Sequence, residues 1–313
     1  MNLSIDLAPH SKRSLTLANP VMTASGTFSN GLEYAKLIDI QRLGAIVSKG
    51  TTLEPRRGSP QTRTAETAAG MLNSIGFQNI GVRALIRDIT PVWASWRVPA
   101  IVNILGDSTR DYVELAAMLD DVQGVAALEL NISCPNLDVG GMEFGVDPEL
   151  AAEVVHATMQ ATTLPLIVKL TPNVTDVVPI ARAVAAAGAD TLCVANTILG
   201  MAMDARRRRP VLNRGVGGLS GPAVKPIILR MVYQVAGAVD VPVIASGGVT
   251  TGIDAIEYLL AGASAVQVGT ATFRNPRAPL DVLEGLEQFL REEGIDDVRA
   301  LIGAAQPARA AWG

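Results

Sequence analysis

The chain has 313 residues, 49% of them hydrophobic but only 4% aromatic, and its 26 basic and 30 acidic side chains leave a net charge of −4. That balance argues against a nucleic-acid partner for the chain as a whole, and no apolar run approaches the ~18–20 residues that a membrane-spanning helix needs. Cys134 and Cys193, far apart, with only His10 and His156 besides, suggest neither a disulfide framework nor a metal site, so no metal is expected. Residues 3–7 and 14–17 alternate like a short β-hairpin, expected to plug one end of the fold. The chain starts with strand alternation rather than a basic segment followed by an apolar block, so a cytoplasmic protein is expected.

Beyond Asn19-Pro20 one cassette recurs: an apolar strand, a polar residue or glycine at its C-terminal end, a loop and an amphipathic helix. Strands are predicted over 21–24, 44–47, 100–102, 126–130, 165–168, 190–195, 241–245 and 264–268. Helices are predicted over 148–162, 176–187, 222–238, 252–261 and 279–292, with Gly188 and Gly262 placed to cap helix ends. Eight such units predict a closed (β/α)8 TIM barrel, a single domain over 1–313, rather than an open sheet; no Gly-x-Gly-x-x-Gly opens a first helix. The insert 51–97 between the second and third strands is expected over the catalytic face. A second long loop, 200–220, carries Arg206 to Arg209, which are expected to form a solvated run.

The active site of such a barrel lies at the C-terminal ends of its strands. Collected there are Ser25, Lys49, Asn103, Asn131, Cys134, Lys169, Asn196, Gly247, Gly248, Gly269 and Thr270. So many polar groups are costly to bury unless a ligand fills the ring. Glycines after the seventh and eighth strands suit a phosphate held by bare backbone amides. Lys169 is expected to point into the barrel mouth, where a buried ammonium needs an anion. A reduced flavin ring would supply one, although the lysines could instead pair with Glu129 inside the barrel. No histidine, aspartate or glutamate ends a strand, which leaves Cys134 as the candidate for moving a proton; by itself it could equally be an inert buried thiol. Cys193, mid-strand, is read as core packing.

With these residues placed, the chain resembles the class 1B dihydroorotate dehydrogenases nearly end to end. The resemblance rests on Asn-Pro-Val-Met-Thr-Ala-Ser-Gly at 19–26, Lys-Gly-Thr-Thr-Leu-Glu-Pro at 49–55, Met-Leu-Asn-Ser-Ile-Gly at 71–76 and Asn-Ile-Ser-Cys-Pro-Asn at 131–136. Further matches are Gly-Gly-Met-Glu-Phe-Gly at 140–145, Asn-Thr-Ile-Leu-Gly-Met-Ala at 196–202, Gly-Gly-Leu-Ser-Gly-Pro at 217–222 and Val-Gln-Val-Gly-Thr at 266–270. Ala195, the Ala245-Ser246 pair and the basic run at 206–209 depart from the family's usual residues. The resemblance implies FMN as cofactor and oxidation of (S)-dihydroorotate to orotate in pyrimidine biosynthesis. It implies that Cys134 takes the carbon-5 proton while hydride leaves carbon 6 for FMN. It assigns substrate contacts to Lys49, Asn73, Ser74, Ile75, Gly76, Phe77, Asn131, Asn196 and Thr197. FMN contacts fall on Ser25, Lys49, Gly50, Asn103, Asn131, Lys169, Ala195, Gly221, Gly247, Gly248, Gly269 and Thr270. It also implies a homodimeric core joined to a subunit carrying FAD and a 2Fe-2S cluster, a heterotetramer that passes electrons to NAD. Three other readings stay open: a dihydropyrimidine-type flavin enzyme, a barrel like inosine-monophosphate dehydrogenase, whose cysteine attacks the substrate covalently, and a non-catalytic flavin-binding subunit.

Overall fold

The structure is a computed structural model that describes residues 1–133, 135, 136 and 142–307. Eight parallel strands form the central sheet: β1 Val21–Thr23, β2 Ile46–Val47, β3 Ala100–Ile104, β4 Ala127–Asn131, β5 Leu166–Lys169, β6 Thr191–Val194, β7 Val243–Ser246 and β8 Ala265–Val268. Each pairs with its neighbours in chain order, and β8 pairs back with β1. A bridge from Met22 to Ala45 closes the ring between β1 and β2. The expected barrel is therefore present. Its strands are short, β-branched and aliphatic, and nearly every residue in them is buried. That is what a sheet covered on both faces requires.

Helices follow six of the strands: α1 Thr109–Leu119, α2 Pro148–Gln160, α3 Val178–Ala186, α4 Lys225–Ala236, α5 Gly252–Leu260 and α6 Ala278–Glu292. The last five match the predicted helices within a few residues. In α2, Asp147 caps the first turn by accepting from the amides of Glu149 and Leu150, at 2.9 and 3.0 Å. Pro148 follows at the first helical position, where its missing N–H costs nothing. Ala151, Val154, Val155 and Thr158 form the buried stripe of α2, at the spacing of one helical face. Gly188 and Gly262 take φ of +109° and +107° just past α3 and α5, where the chain needs left-handed backbone.

The first two units depart from the cassette. After β1 the chain makes two 3-10 turns, Tyr34–Lys36 and Ile40–Arg42, and no α-helix. After β2 comes the insert, which ends in a short helical stretch over 82–93. The predicted long loop at 200–220 is also corrected. Its flanks are strands, Ile198–Met201 and Val216–Ser220, which join the insert's Thr64–Thr67 and Gly70–Asn73 in one antiparallel sheet. Gly218 pairs with Asn73 across this cap sheet. At the opposite end of the barrel, the N-terminal hairpin pairs Ile5 with Leu17. Leu7 and Leu17 are fully buried, and the Leu7 carbonyl accepts the hydroxyl of Thr191, the first residue of β6. The hairpin thus plugs the N-terminal end of the barrel.

Candidate active site

The C-terminal ends of the strands and the cap sheet enclose a cleft of about 980 Å³. Every site residue predicted from the sequence lines it except Cys134, which lies outside the described residues. Ser25, Lys49, Gly50, Asn103, Asn131, Lys169, Ala195, Asn196 and Thr197 come from the ends of β1 to β6. A second wall is made by Gly221, Gly247, Gly248, Gly269 and Thr270. Asn73, Ser74, Ile75, Gly76 and Phe77 come from the insert. Pairing within the cap sheet is what carries the insert residues, some fifty positions before β4, to the strand ends.

Beneath the cleft lies a buried polar network. Glu129, in the middle of β4, is fully buried and accepts from Asn103 Nδ2 at 2.7 Å and Gln267 Nε2 at 2.6 Å. Lys169 Nζ stands 3.6 Å from the same carboxylate and donates to Gln267 Oε1 at 3.1 Å and to Ser25 Oγ at 3.2 Å. Lys169 therefore does point into the barrel, but it already has an anion in Glu129, so its burial alone calls for no ligand. Burial opposes its charge, yet the Glu129 carboxylate outweighs burial and holds the ammonium's pKa above the ordinary lysine value. Lys49 forms no ion pair with Glu129. Burial, helped by the charge of Arg63, pulls its pKa below the ordinary value. Cys193 is packed in the core as expected, its thiol 3.5 Å from Gln267 Oε1 and pushed up in pKa by burial.

Around Asn131 and Asn73 the amides interlock. Asn196 Nδ2 donates to Asn131 Oδ1 at 3.3 Å, the Thr197 amide donates to Asn196 Oδ1 at 2.8 Å, and Asn73 Nδ2 reaches the Gly218 carbonyl at 3.3 Å. Tyr112, a fully buried residue of α1, fixes the Asn131 carbonyl at 2.6 Å. Sequence reasoning missed several lining residues: Arg63, Arg214, Glu143 and Ser133. Glu143 carries a carboxyl that burial pushes up in pKa, and it ends the short strand Met142–Glu143, which is not one of the eight barrel strands. Arg63 and Arg214 sit in the insert and the second long segment, and only the cap sheet brings them to the cleft. Buried oxygens of Ser59, Ser74, Ser133 and Glu143 have no hydrogen-bond partner among the described residues, and all four residues line this cleft. Thr67 Oγ1 is also without a partner among the described residues and lies away from the lining; the four at the cleft are placed to bond a polar ligand.

The loop between β7 and α5 is braced by Asp254 at the start of α5. One carboxylate oxygen accepts from the amides of Thr250 and Thr251, at 2.9 and 2.8 Å, and from both hydroxyls; the other meets Lys225 Nζ. Burial would raise the Asp254 pKa, but Lys225 and the threonine donors prevail and bring it from 3.8 down to about 2. A carboxylate whose pKa is depressed on folding stabilises the fold fully above its unfolded pKa, and the contribution is lost as the pH falls through the folded value. Acid titration followed by circular dichroism should show part of the unfolding between about pH 4 and 2, and Asp254→Asn should remove that part. An unchanged acid profile in the variant would refute the assignment.

A barrel that gathers glycines after β7 and β8 and a ring of asparagine amides into one cleft at its strand ends defines an α/β-barrel enzyme with a polar ligand site. The dihydroorotate dehydrogenase family model matches residues 11–290. The chain is 53% identical over 305 residues to the "Dihydroorotate dehydrogenase B (NAD(+)), catalytic subunit" of Desulforamulus reducens, covering 97% of this chain and 99% of that protein. Proteins of the same description from Trichlorobacter lovleyi (56% identity, 94% and 96% covered) and Porphyromonas gingivalis (53%, 93% and 95%) are similar over the same extent. The chain belongs to the dihydroorotate dehydrogenase family.

Proposed function

We propose that the chain is the FMN-dependent catalytic subunit of an NAD-linked dihydroorotate dehydrogenase, oxidising (S)-dihydroorotate to orotate in pyrimidine biosynthesis, with 1–313 as one FMN-binding barrel domain. The observation that carries this is the convergence in one cleft of the glycine cradle, the buried Lys169 network and the asparagine cluster. The fit to FMN rests on the chain itself. The amides of Gly248 and Val249 take no partner within the described chain, and both residues line the cleft, where positions 247 and 248 carry no side chain. Ser25 and Lys169, hydrogen-bonded to each other, would hold the flavin ring together with Asn103 and Gly50, which line the same cleft.

FMN, when bound, supplies the acceptor for the hydride leaving carbon 6 of the substrate. The protein's part is orientation and proton movement. Asn73, Asn131, Asn196 and Thr197 offer donors and acceptors to the substrate ring and carboxylate, and Lys49 adds a cation between the two ligands. Cys134, as thiolate, takes the carbon-5 proton, so the carbon 5–carbon 6 double bond forms as proton and hydride leave. Electrons then go to NAD through a partner subunit carrying FAD and a 2Fe-2S cluster, on a homodimer core. The relatives' name, "catalytic subunit", supports a second subunit. No helix among the described residues is long and apolar enough to cross a membrane. The Arg206–Arg209 run is exposed at the tip of the hairpin formed by Met203–Asp204 and Arg209–Pro210; it stays outside this scheme.

Anaerobic mixing of the purified, FMN-loaded chain with dihydroorotate should bleach the flavin absorbance. A yellow protein that stays oxidised with dihydroorotate but is reduced by another dihydropyrimidine would move the substrate. A protein that cannot be reconstituted with FMN would end the proposal.

A further inference from the structure

The loop between β7 and α5 raises a mechanical question. Its first peptide joins Gly247 to Gly248, two residues without a Cβ, so local sterics do little to hold that peptide in one orientation. Gly248 sits at φ +72°. A Cβ there would come within 2.8 Å of Lys225 Cβ and 2.9 Å of the Gly221 carbonyl, so no bulkier residue can stiffen the position. Something outside the loop must fix the peptide.

Tyr258 is that element. It lies on α5, fully buried, and its hydroxyl donates to the Gly247 carbonyl at 2.6 Å. The Lys225 carbonyl, at 3.4 Å, is the weaker neighbour. Across a trans peptide the carbonyl and the next N–H point in opposite directions. Drawing the Gly247 carbonyl toward the buried face of α5 therefore turns the Gly248 N–H toward the cleft. At the other end of the loop, Asp254 engages the amides and hydroxyls of Thr250 and Thr251. The amides between the two anchors, Gly248 and Val249, are the ones left without a partner in the described chain. Burial pushes the Tyr258 phenol upward in pKa, so it remains a donor throughout the working pH range.

We propose that Tyr258 and Asp254 are positioning residues that clamp the two ends of this loop and so present the Gly248 and Val249 amides to the phosphate of the flavin. The inference rests on the flavin reading above. Tyr258→Phe removes one hydroxyl and keeps the ring that packs in the core. The test titrates the apoprotein separately with FMN and with riboflavin, which has the same ring and no phosphate. FMN affinity should fall about tenfold in Tyr258→Phe, the scale of one hydrogen bond lost, while riboflavin affinity stays within about twofold. Asp254→Ala, which releases the other end, should show the same selectivity and serves if the first variant does not fold. Equal losses for both ligands would show a merely structural role and overturn the proposal, as would undiminished FMN binding in both variants. Wild-type protein that binds neither flavin would overturn the flavin reading, and this clamp with it.

Discussion

Glu129→Ala should lower the unfolding free energy of the apoprotein by about 3–5 kcal/mol, read from the denaturant midpoint. The carboxylate it removes is fully buried and has three partners: Lys169 Nζ at 3.6 Å, Asn103 Nδ2 and Gln267 Nε2. Deleting it strands an ammonium that is itself buried and orphans two amide donors, and each orphan carries a desolvation cost. The size of the loss reflects the broken pair rather than the worth of an intact one. The double variant Glu129→Leu with Lys169→Met should recover the part of the loss that comes from the stranded ammonium, since two apolar side chains can replace a buried pair at little cost, while the part that comes from the Asn103 and Gln267 amides remains. The wild-type pair also has a defined pH range. Because Glu129 holds the Lys169 pKa above its ordinary 10.5, the ammonium's contribution is complete below that value and is lost only as the pH rises beyond it. A midpoint unmoved by Glu129→Ala would mean that the network carries no stability.

Cys134→Ala should slow flavin reduction by dihydroorotate by about 10²–10⁴-fold, the range for loss of a positioned base, and leave FMN bound. Single-turnover mixing under anaerobic conditions separates this step from reoxidation. The expectation rests on elimination and on the resemblance. Of the lining residues, Lys169 is paired with Glu129, and no histidine lies in the cleft. Among the described residues, Glu143 is the one lining carboxyl held toward its protonated form by burial. A Cys134→Ala enzyme that reduces flavin at the wild-type rate would shift the role away from the thiol, and Glu143→Gln would then be the variant to make.

The barrel was legible because each strand is a short apolar run stopped by a polar residue or glycine, and α2 to α6 bury apolar stripes at helical spacing. Those signals are local, so they survive in the sequence. The first two units were not legible in the same way. The segment after β1 carries no apolar stripe at helical spacing, and the turns over 34–42 bury only Ile40. Residues at strand ends were found because the fold dictates where those ends meet. Arg63, Arg214 and Glu143 were not found, because nothing local distinguishes them from solvated loop residues.

By itself, then, the sequence determined the eightfold alternation of strand and helix, the polar set at the strand ends, and the family whose motifs occupy them. Only the tertiary structure decided which of those groups are partnered to each other. It paired Lys169 with Glu129, zipped the insert onto the segment after β6 through Asn73 and Gly218, and set Tyr258 beneath the Gly247 carbonyl. The physical reason is range. Periodicity and strand stops are read within a turn or a few residues, whereas an ion pair forty residues apart or a strand pairing across 145 positions depends on the closure of the barrel.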